Sequence, residues 1–362
     1  MLLPHRNRSR LLPPWPVALA LGLWLALSPA EHARADDWRD ALRARLEKLD
    51  RETPGQLGVY VKRLDNGESL SYASDRPWYL SSSTKVPIAI AVLQQVDAGK
   101  LRTNQRLAVQ DTDRIDGPGE LVWARTGTAY TVDSLITRML GVSDNTAANL
   151  LVRTIGEDTL NASASKHLGK GFEKLTTLTQ VRRDVYGELH PKAAQLPNQR
   201  LVEVASEPIG PRRVEAVRRA IGVPASELKT RSIDEAYASY YRKGFNSATL
   251  EGYGGMLEQL VRGQLLSADS TKRLFTAMKF GRRGDYRMEG GIPKSQPIIH
   301  KTGTQHRRAC HMVVVNPQDG GARGIVIAAC TADLDEQRQA GPVLRGVGSA
   351  VSAVLLQSAP SR

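Results

Sequence analysis

A serine and a lysine three residues apart, Ser82 and Lys85, stand at the head of the run SSSTKVPIAIAVL. On a helix, residues at that spacing share a face, so of the three clustered serines only Ser82 is presented beside Lys85. An amine whose charged form is disfavoured by burial or by a second cation can accept a hydroxyl proton near neutral pH, and that turns a serine into a nucleophile. The residues after Lys85 are almost all apolar, so its side chain is expected inside the protein, where a lysine needs a reason to be. Free backbone N–H groups at the start of that helix would favour developing negative charge.

Two more stretches carry matching chemistry: Ser143-Asp144-Asn145 within LGVSDNTAANLL, and Lys301-Thr302-Gly303-Thr304 within IIHKTGTQ. With the Ser-x-x-Lys tetrad, in this order, they form the motif trio of class A β-lactamases and penicillin-binding proteins. Residues 54–150 and 244–335 resemble the class A β-lactamase family, including the 61-residue step from Ser82 to Ser143 and the run RGQLLSADSTKRLFTAMKFGRRGDYRMEGGIPK ahead of the Lys-Thr-Gly strand. The resemblance implies that Ser82 attacks a strained amide carbonyl and that Lys85 takes its proton. Ser143 would pass a proton to the departing nitrogen, aided by the positive field of Lys301. Asn145 would hydrogen-bond both Lys85 and a substrate side-chain amide. Lys301, Thr302 and Thr304 would hold the substrate carboxylate along the strand, and Gly303 would leave room for close approach. The N–H groups of Ser82 and Thr304 would form the oxyanion hole, and Asp144 would brace its loop.

The chain departs from the family in one respect. Class A members release the acyl-enzyme with a glutamate in a Glu-x-x-Leu-Asn loop, and the resemblance assigns no glutamate of this chain to that loop. Ser143 and Lys301 lie 158 residues apart, more than the family usually carries, so an insertion is expected within about 155–245. Counting forward from Ser143 gives Asp184 and Glu188 as candidates for the deacylation base; counting back from NSATL at 246–250 gives Asp234 and Glu235. The leading expectation is a serine β-lactamase working through an acyl-enzyme on Ser82. A penicillin-binding D,D-peptidase acting on peptidoglycan stem peptides, or a non-catalytic penicillin sensor, are the alternatives.

These groups need a scaffold. LGVYVKRL and ESLSYAS alternate apolar and polar residues around Asp65-Asn66-Gly67, which predicts a hairpin after a first helix in WRDALRARLEKLDRE. Thr84 to Ala98 is apolar almost all round, as in a helix buried inside the protein, and Gly99 closes it. Spaced apolar positions predict further helices in TVDSLITRML, NTAANLLVRTI, RRVEAVRRAI, SIDEAYASYY and TLEGYGGMLEQLVRG. Strands return with IIHKTGT, ACHMVVV and GIVIAAC, and RGVGSAVSAVLLQ closes as a helix. The predicted fold is α/β in composition, an α+β sandwich. Its antiparallel sheet is built from N- and C-terminal strands (about 55–75 and 297–360) packed against a helical region over about 80–290.

Residues 1–35 carry Arg6, Arg8 and Arg10 before the apolar run WPVALALGLWLAL, then Ala33-Arg34-Ala35, the pattern of a secretory leader cleaved near Ala35. The run is shorter than the roughly 18 to 20 residues of a membrane span. The expected mature chain, 36–362, is a single soluble periplasmic hydrolase domain, monomeric and without stable membrane insertion. Removing the leader takes four basic residues and one acidic residue from a formal charge of +13, leaving +10. That charge favours an acidic envelope; no basic motif interleaved with aromatics points to nucleic acid. The expected partners are β-lactams or peptidoglycan peptides, and no cofactor is expected. Zinc near His306, Cys310 and His311 is the alternative, although their spacing fits no compact ligand pattern. Gln305 and His306 are expected at the substrate's edge. Cys310 and Cys330 fall on strands joined by NPQDGGAR; they pair as a cross-strand disulfide or stay as two buried thiols.

Overall fold

The structure, a computed structural model, describes residues 30–279 and 286–356. The leader expected over 1–35 lies, as far as residue 29, outside the described residues, and so do 357–360 of the closing segment.

Helix α1 (Ala30–Arg51) leads into the hairpin β1 (Gln56–Arg63) and β2 (Ser69–Tyr72), turned at Asn66 and Gly67. A short strand β3 (Pro77–Tyr79) precedes a 3-10 turn over Ser81–Thr84 and helix α2 (Lys85–Asp97). Strands β4 (Arg106–Ala108) and β5 (Ala129–Thr131) pair across a long loop. Helices α3 (Val132–Gly141), α4 (Asn145–Ile155) and α5 (Glu157–Leu168) follow. The next four are α6 (Leu178–Leu189), α7 (Asn198–Ala205), α8 (Pro211–Ile221) and α9 (Ile233–Tyr241). Strand β6 (Ser247–Thr249), paired with β3, then opens α10 (Leu250–Val261), which is followed by α11 (Ala268–Lys279) and the single turn α12 (Met288–Gly291). Strands β7 (Ile298–Gln305), β8 (Arg308–Val315) and β9 (Ile325–Ala332) and helix α13 (Ala340–Val351) complete the order.

The main sheet runs β2-β1-β9-β8-β7, antiparallel throughout, so the N-terminal hairpin and the C-terminal strands form one surface. Its alternation sends two sets of side chains to two faces. Val59 and Val61 meet Leu42 and Leu46 of α1 and Leu344 and Val347 of α13; Tyr60, Met312 and Val326 join the larger core around α2, α4 and α10. A third core, with Val185, Leu201, Val217 and Tyr240, is built within α6–α9. Cys310 lies opposite Cys330 across β8 and β9, and the two form a disulfide.

Helix α2 is the pillar of the larger core. Val86, Ile88, Ile90, Val92 and Leu93 are all buried. At roughly 1.5–3 kcal/mol for each fully buried aliphatic side chain, they outweigh the cost of carrying one lysine inside as a neutral amine. Pro87 is tolerated because it falls in the first turn, where its missing N–H has no helical partner to lose.

Candidate active site

The chain reverses direction to deliver each functional side chain. Before α2, Ser81 takes a left-handed backbone conformation (φ 51°), and Ser83 N–H donates to Leu80 O at 3.0 Å. Ser82 is thereby left half-buried at the mouth of α2 and Lys85 fully buried one turn on. At the second motif Ser143 is again left-handed (φ 61°), while Asp144 caps α4 by accepting from Ala147 N–H at 2.9 Å and from Leu121 N–H at 3.2 Å. Asp144 therefore braces its loop. Non-glycine residues in this region carry backbone strain and persist where the surroundings fix them. Gly303, in the middle of β7, lies against the serine turn: a Cβ there would come within 2.4 Å of Leu80 O and 3.1 Å of Ser82 N. Only glycine lets β7 approach this closely.

The structure gathers the three motifs around Lys85. Its Nζ lies 3.2 Å from Ser82 Oγ, donates to Ser143 Oγ at 3.0 Å and Ser143 O at 2.5 Å, and donates to Asn145 Oδ1 at 2.6 Å. Lys301 Nζ approaches from β7, donating to Ser143 Oγ at 3.1 Å and Thr302 O at 2.9 Å. Ser143 Oγ thus bridges two buried amines. Burial holds Lys85 well below an ordinary lysine, and the Lys301 charge pushes it the same way against the pull of Asp144. Burial, with Arg287 beside it, lowers Lys301 to about 7. Lys301 can therefore exchange protons near neutral pH, and Lys85 is shifted in the same direction. Thr302 is half-buried and Thr304 exposed on the same strand.

Arg287, which sequence reasoning passed over within the run RRGDYRMEGG, is buried behind β7. It donates to Gly303 O at 3.0 Å, Cys310 O at 3.1 Å and Thr304 Oγ1 at 2.6 Å. It fixes the strand end and adds positive field to Lys301. The only signal in the sequence was its position ahead of the Lys-Thr-Gly strand.

The four acids proposed as deacylation base are engaged elsewhere. Asp184 accepts from Gln180 Nε2 at 2.7 Å, and Glu188 from Lys243 Nζ at 2.6 Å and Ser239 Oγ at 2.7 Å. Asp234 holds His306 Nε2 at 2.8 Å, and Glu235 takes the hydroxyl of Thr230. Asp234 and Glu235 line a cavity of about 230 Å³ with Tyr237, Tyr241, His306 and Arg308, beyond the end of β7. Gln305 is turned to Tyr237, accepting from its hydroxyl at 3.3 Å.

The zinc grouping is overturned. Cys310 is spent in the disulfide, His306 faces Asp234, and alternation along β8 sends Cys310 and His311 to opposite faces. His311 instead meets His300 through its Nε2 (to His300 Nδ1, 2.9 Å), and its Nδ1 lies 3.3 Å from Glu289. These three bring ligand-type atoms within 4.8 Å of one another. However, burial, His300, Arg287 and Lys301 all hold His311 well below an ordinary histidine. A lowered value keeps the imidazole neutral, but the positive charge of Arg287 and Lys301 opposes a dication, and the two rings pack as a hydrogen-bonded pair.

The profile of the beta-lactamase enzyme family matches residues 41–355, and the chain belongs to that family. Among curated relatives it is 30% identical to a beta-lactamase of Rhodobacter capsulatus over 38% of this chain and 47% of that one. It is 24% identical to a beta-lactamase of Mycobacterium tuberculosis over 75% and 71%. The chain thus spans less than half of the length of the Rhodobacter relative. Among solved structures, PBP-A superposes with a TM-score of 0.65 at 18% identity, covering 88% of this chain and 97% of that one. A beta-lactamase from Xanthomonas campestris gives 0.64 at 22%, covering 88% and 98%. A variant of PBP-A described as an acyl-enzyme complex with penicillin G gives 0.62 at 18%, covering 88% and 97%. These structures share the fold.

Proposed function

We propose that the protein is a serine β-lactamase that opens the lactam amide through an acyl-enzyme on Ser82. The observation that carries this reading is the position of Lys85 Nζ within 3.2 Å of Ser82 Oγ, among oxygens and beside a second amine. In that setting the neutral form of Lys85 is favoured over that of an ordinary lysine, and it takes the Ser82 proton as the hydroxyl attacks the carbonyl carbon. The carbonyl oxygen gains negative charge against the N–H groups of Ser82 and Thr304. The C–N bond then breaks, and Ser143 passes a proton to the nitrogen, its own proton being restored from Lys85 or Lys301, both in contact with its Oγ. Lys301, Thr302 and Thr304 hold the substrate carboxylate, and Asn145 a side-chain amide. Gly303 gives substrate and strand their close approach. Water then cleaves the ester, and Lys85 is the base already placed beside it.

The same reading makes residues 36–362 one hydrolase domain with inserted helices, exported by a leader cleaved near Ala35 to the periplasm, where it would act as a monomer and confer antibiotic resistance. Among the described residues no helix is long and apolar enough to cross a membrane.

The experiment is intact-protein mass spectrometry over time after mixing with a penicillin and with a carbapenem. A transient adduct on the wild type, absent in Ser82→Ala, supports the lactamase. A lasting adduct supports a penicillin-binding D,D-peptidase, the second reading, which is favoured by the engagement of Asp184, Glu188, Asp234 and Glu235 away from Ser82. No adduct at all overturns both.

A further inference from the structure

Asn145 has two ends, and only one of them serves Lys85. Its Oδ1 accepts from Lys85 Nζ, while its Nδ2 donates to Asp116 O at 2.7 Å. The second bond fixes the amide orientation: with the nitrogen committed to a carbonyl, the oxygen must face the amine. Asp116 lies in the loop between β4 and β5, next to Gly117, where a Cβ would come within 2.1 Å of Asn145 Nδ2. The loop is therefore pressed directly onto Asn145.

Arg182 of α6 holds that loop. It grips both oxygens of Asp116, Nε to Oδ1 at 2.8 Å and Nη2 to Oδ2 at 2.7 Å, the two-pronged geometry that suits a guanidinium. Its remaining Nη1 donates to Tyr237 OH at 2.9 Å, and Tyr237 OH donates to Gln305 Oε1 at 3.3 Å, one residue beyond Thr304 on β7. Only 14% and 16% of the two ion-paired side chains is exposed. One buried cation thus reaches both sides of the cleft, through Asp116 to Asn145 and through Tyr237 to β7. Local structure did not require this, since Arg182 and Asp116 are 66 residues apart.

We infer that Arg182 is a positioning residue for acylation: acting through Asp116 and Asn145 it holds Lys85 in register with Ser82, and through Tyr237 it ties that register to the substrate-binding strand. The inference rests on the acyl-enzyme reading above and assigns a task to α6 and α9, helices that supply no group touching the reacting atoms. Freed from Arg182, the Asp116 loop relaxes and the Asn145 amide loses its fixed orientation. Lys85 then keeps its burial but loses the placement of an acceptor at 2.6 Å.

The test measures the acylation rate constant and the non-covalent dissociation constant separately, by stopped flow with a chromogenic cephalosporin, alongside thermal melts. Arg182→Met is expected to slow acylation by about 10- to 100-fold, the scale of an ångström-sized misplacement, with a smaller change in the dissociation constant. Arg182→Lys, which keeps the charge and one contact, is expected to recover part of that loss. The control is Arg153→Met, which removes a guanidinium gripping the buried Asp113 from α4, the helix that carries Asn145, without touching Asn145 itself. It should lower the melting temperature and leave acylation within about two-fold. If Arg182→Met does not fold, Tyr237→Phe removes only the arm to Gln305 and is expected to slow acylation several-fold. Folded Arg182→Met or Tyr237→Phe acylating at the wild-type rate, or Arg153→Met losing as much acylation as Arg182→Met, overturns the inference alone. A wild-type chain that no β-lactam acylates overturns the enzymatic reading as well.

Discussion

Lys85 is fully buried and Arg182 largely so, about one hydrogen-bonded chain apart, and the proton affinities of these two cations move in opposite directions. Burial lowers Lys85, and its nearest charged neighbour, Lys301, lowers it further. Burial would also lower Arg182, but the Asp116 carboxylate reverses the outcome and raises it. Asp116 responds in kind: burial pushes its carboxyl up, and Arg182 outweighs that and leaves it below the ordinary value. Depth inside the protein is common to both sites; the partner decides the rest. A buried cation facing hydroxyls, an amide and another cation is poised to give up a proton, whereas one clamped by a carboxylate is locked in charge and serves as a bolt.

The largest expected effect removes the poised member. Lys85→Met should slow acylation by about 10²- to 10⁴-fold, the range for losing a general base, while the apolar core around α2 keeps the protein folded. Retained acylation in a folded Lys85→Met protein would place the proton acceptor elsewhere and dissolve the contrast with Arg182. The next effect tests the approach of β7. Gly303→Val puts side-chain atoms into the backbone of Leu80 and Ser82, so β7 must retreat and acylation should fall about 10²-fold. A Gly303→Val protein acylating normally would mean that the close approach is not needed for reaction.

The pH dependence sharpens the same comparison. Lys85 must be neutral to accept the serine proton, so acylation should rise with pH as its depressed group deprotonates. Lys301 must be charged to attract a carboxylate, so kcat/KM should fall again as pH climbs through about 7, giving a bell for the free enzyme. Lys301→Met should abolish the alkaline limb. It should also move the acid limb to higher pH, because a like charge that had disfavoured protonated Lys85 is gone. An acid limb that stays put in the Lys301→Met protein would mean the two amines do not sense each other.

Much of this was legible in the sequence, unevenly. The alternation in LGVYVKRL and GIVIAAC, the Asn66-Gly67 turn and the apolar run after Lys85 are local patterns, and they yield the sheet and its pillar. The meeting of the three motifs came from a resemblance; the spacing of Ser82 and Lys85 alone fixed only a shared helix face. Strands β3 and β6, three residues each, are too short to show alternation. Helix α5, EDTLNASASKHL, is rich in small and polar residues and gives little apolar rhythm. The acids Asp184, Glu188, Asp234 and Glu235 were chosen by counting along the chain, which gives a position but no side-chain direction. Asp116 and Arg182 gave no local signal, because their partnership exists only once α6 lies against the β4–β5 loop.

The bolt is expected to matter for stability in a way the poised lysines do not. Asp116→Asn leaves the Arg182 charge buried without a counter-charge, and removing one partner of a buried pair costs about 3 kcal/mol or more. Thermal melts should show a drop of several degrees at neutral pH. The folded-state value of Asp116 lies below the ordinary 3.8, so its stabilisation is fully present above that value and is lost as pH falls toward the folded one. The gap between wild type and Asp116→Asn should therefore narrow on acidification below about 4; a gap that widened would mean the carboxylate is not what Arg182 senses.

The smallest effect is expected where the same two charge types meet in water. Arg200 and Glu203 on α7 make a 2.7 Å ion pair, as short as that of Arg182 and Asp116, with side chains 61% and 45% exposed. Solvent screens this pair and both long side chains must be immobilised to form it, so Arg200→Ala should change stability by less than about 0.5 kcal/mol. The distance is shared and the surroundings differ. An Arg200→Ala protein destabilised as much as Asp116→Asn would show that contact geometry alone sets the strength of these pairs. The burial that separates Arg182 from its surface counterpart would then explain nothing about why α6 reaches into the site.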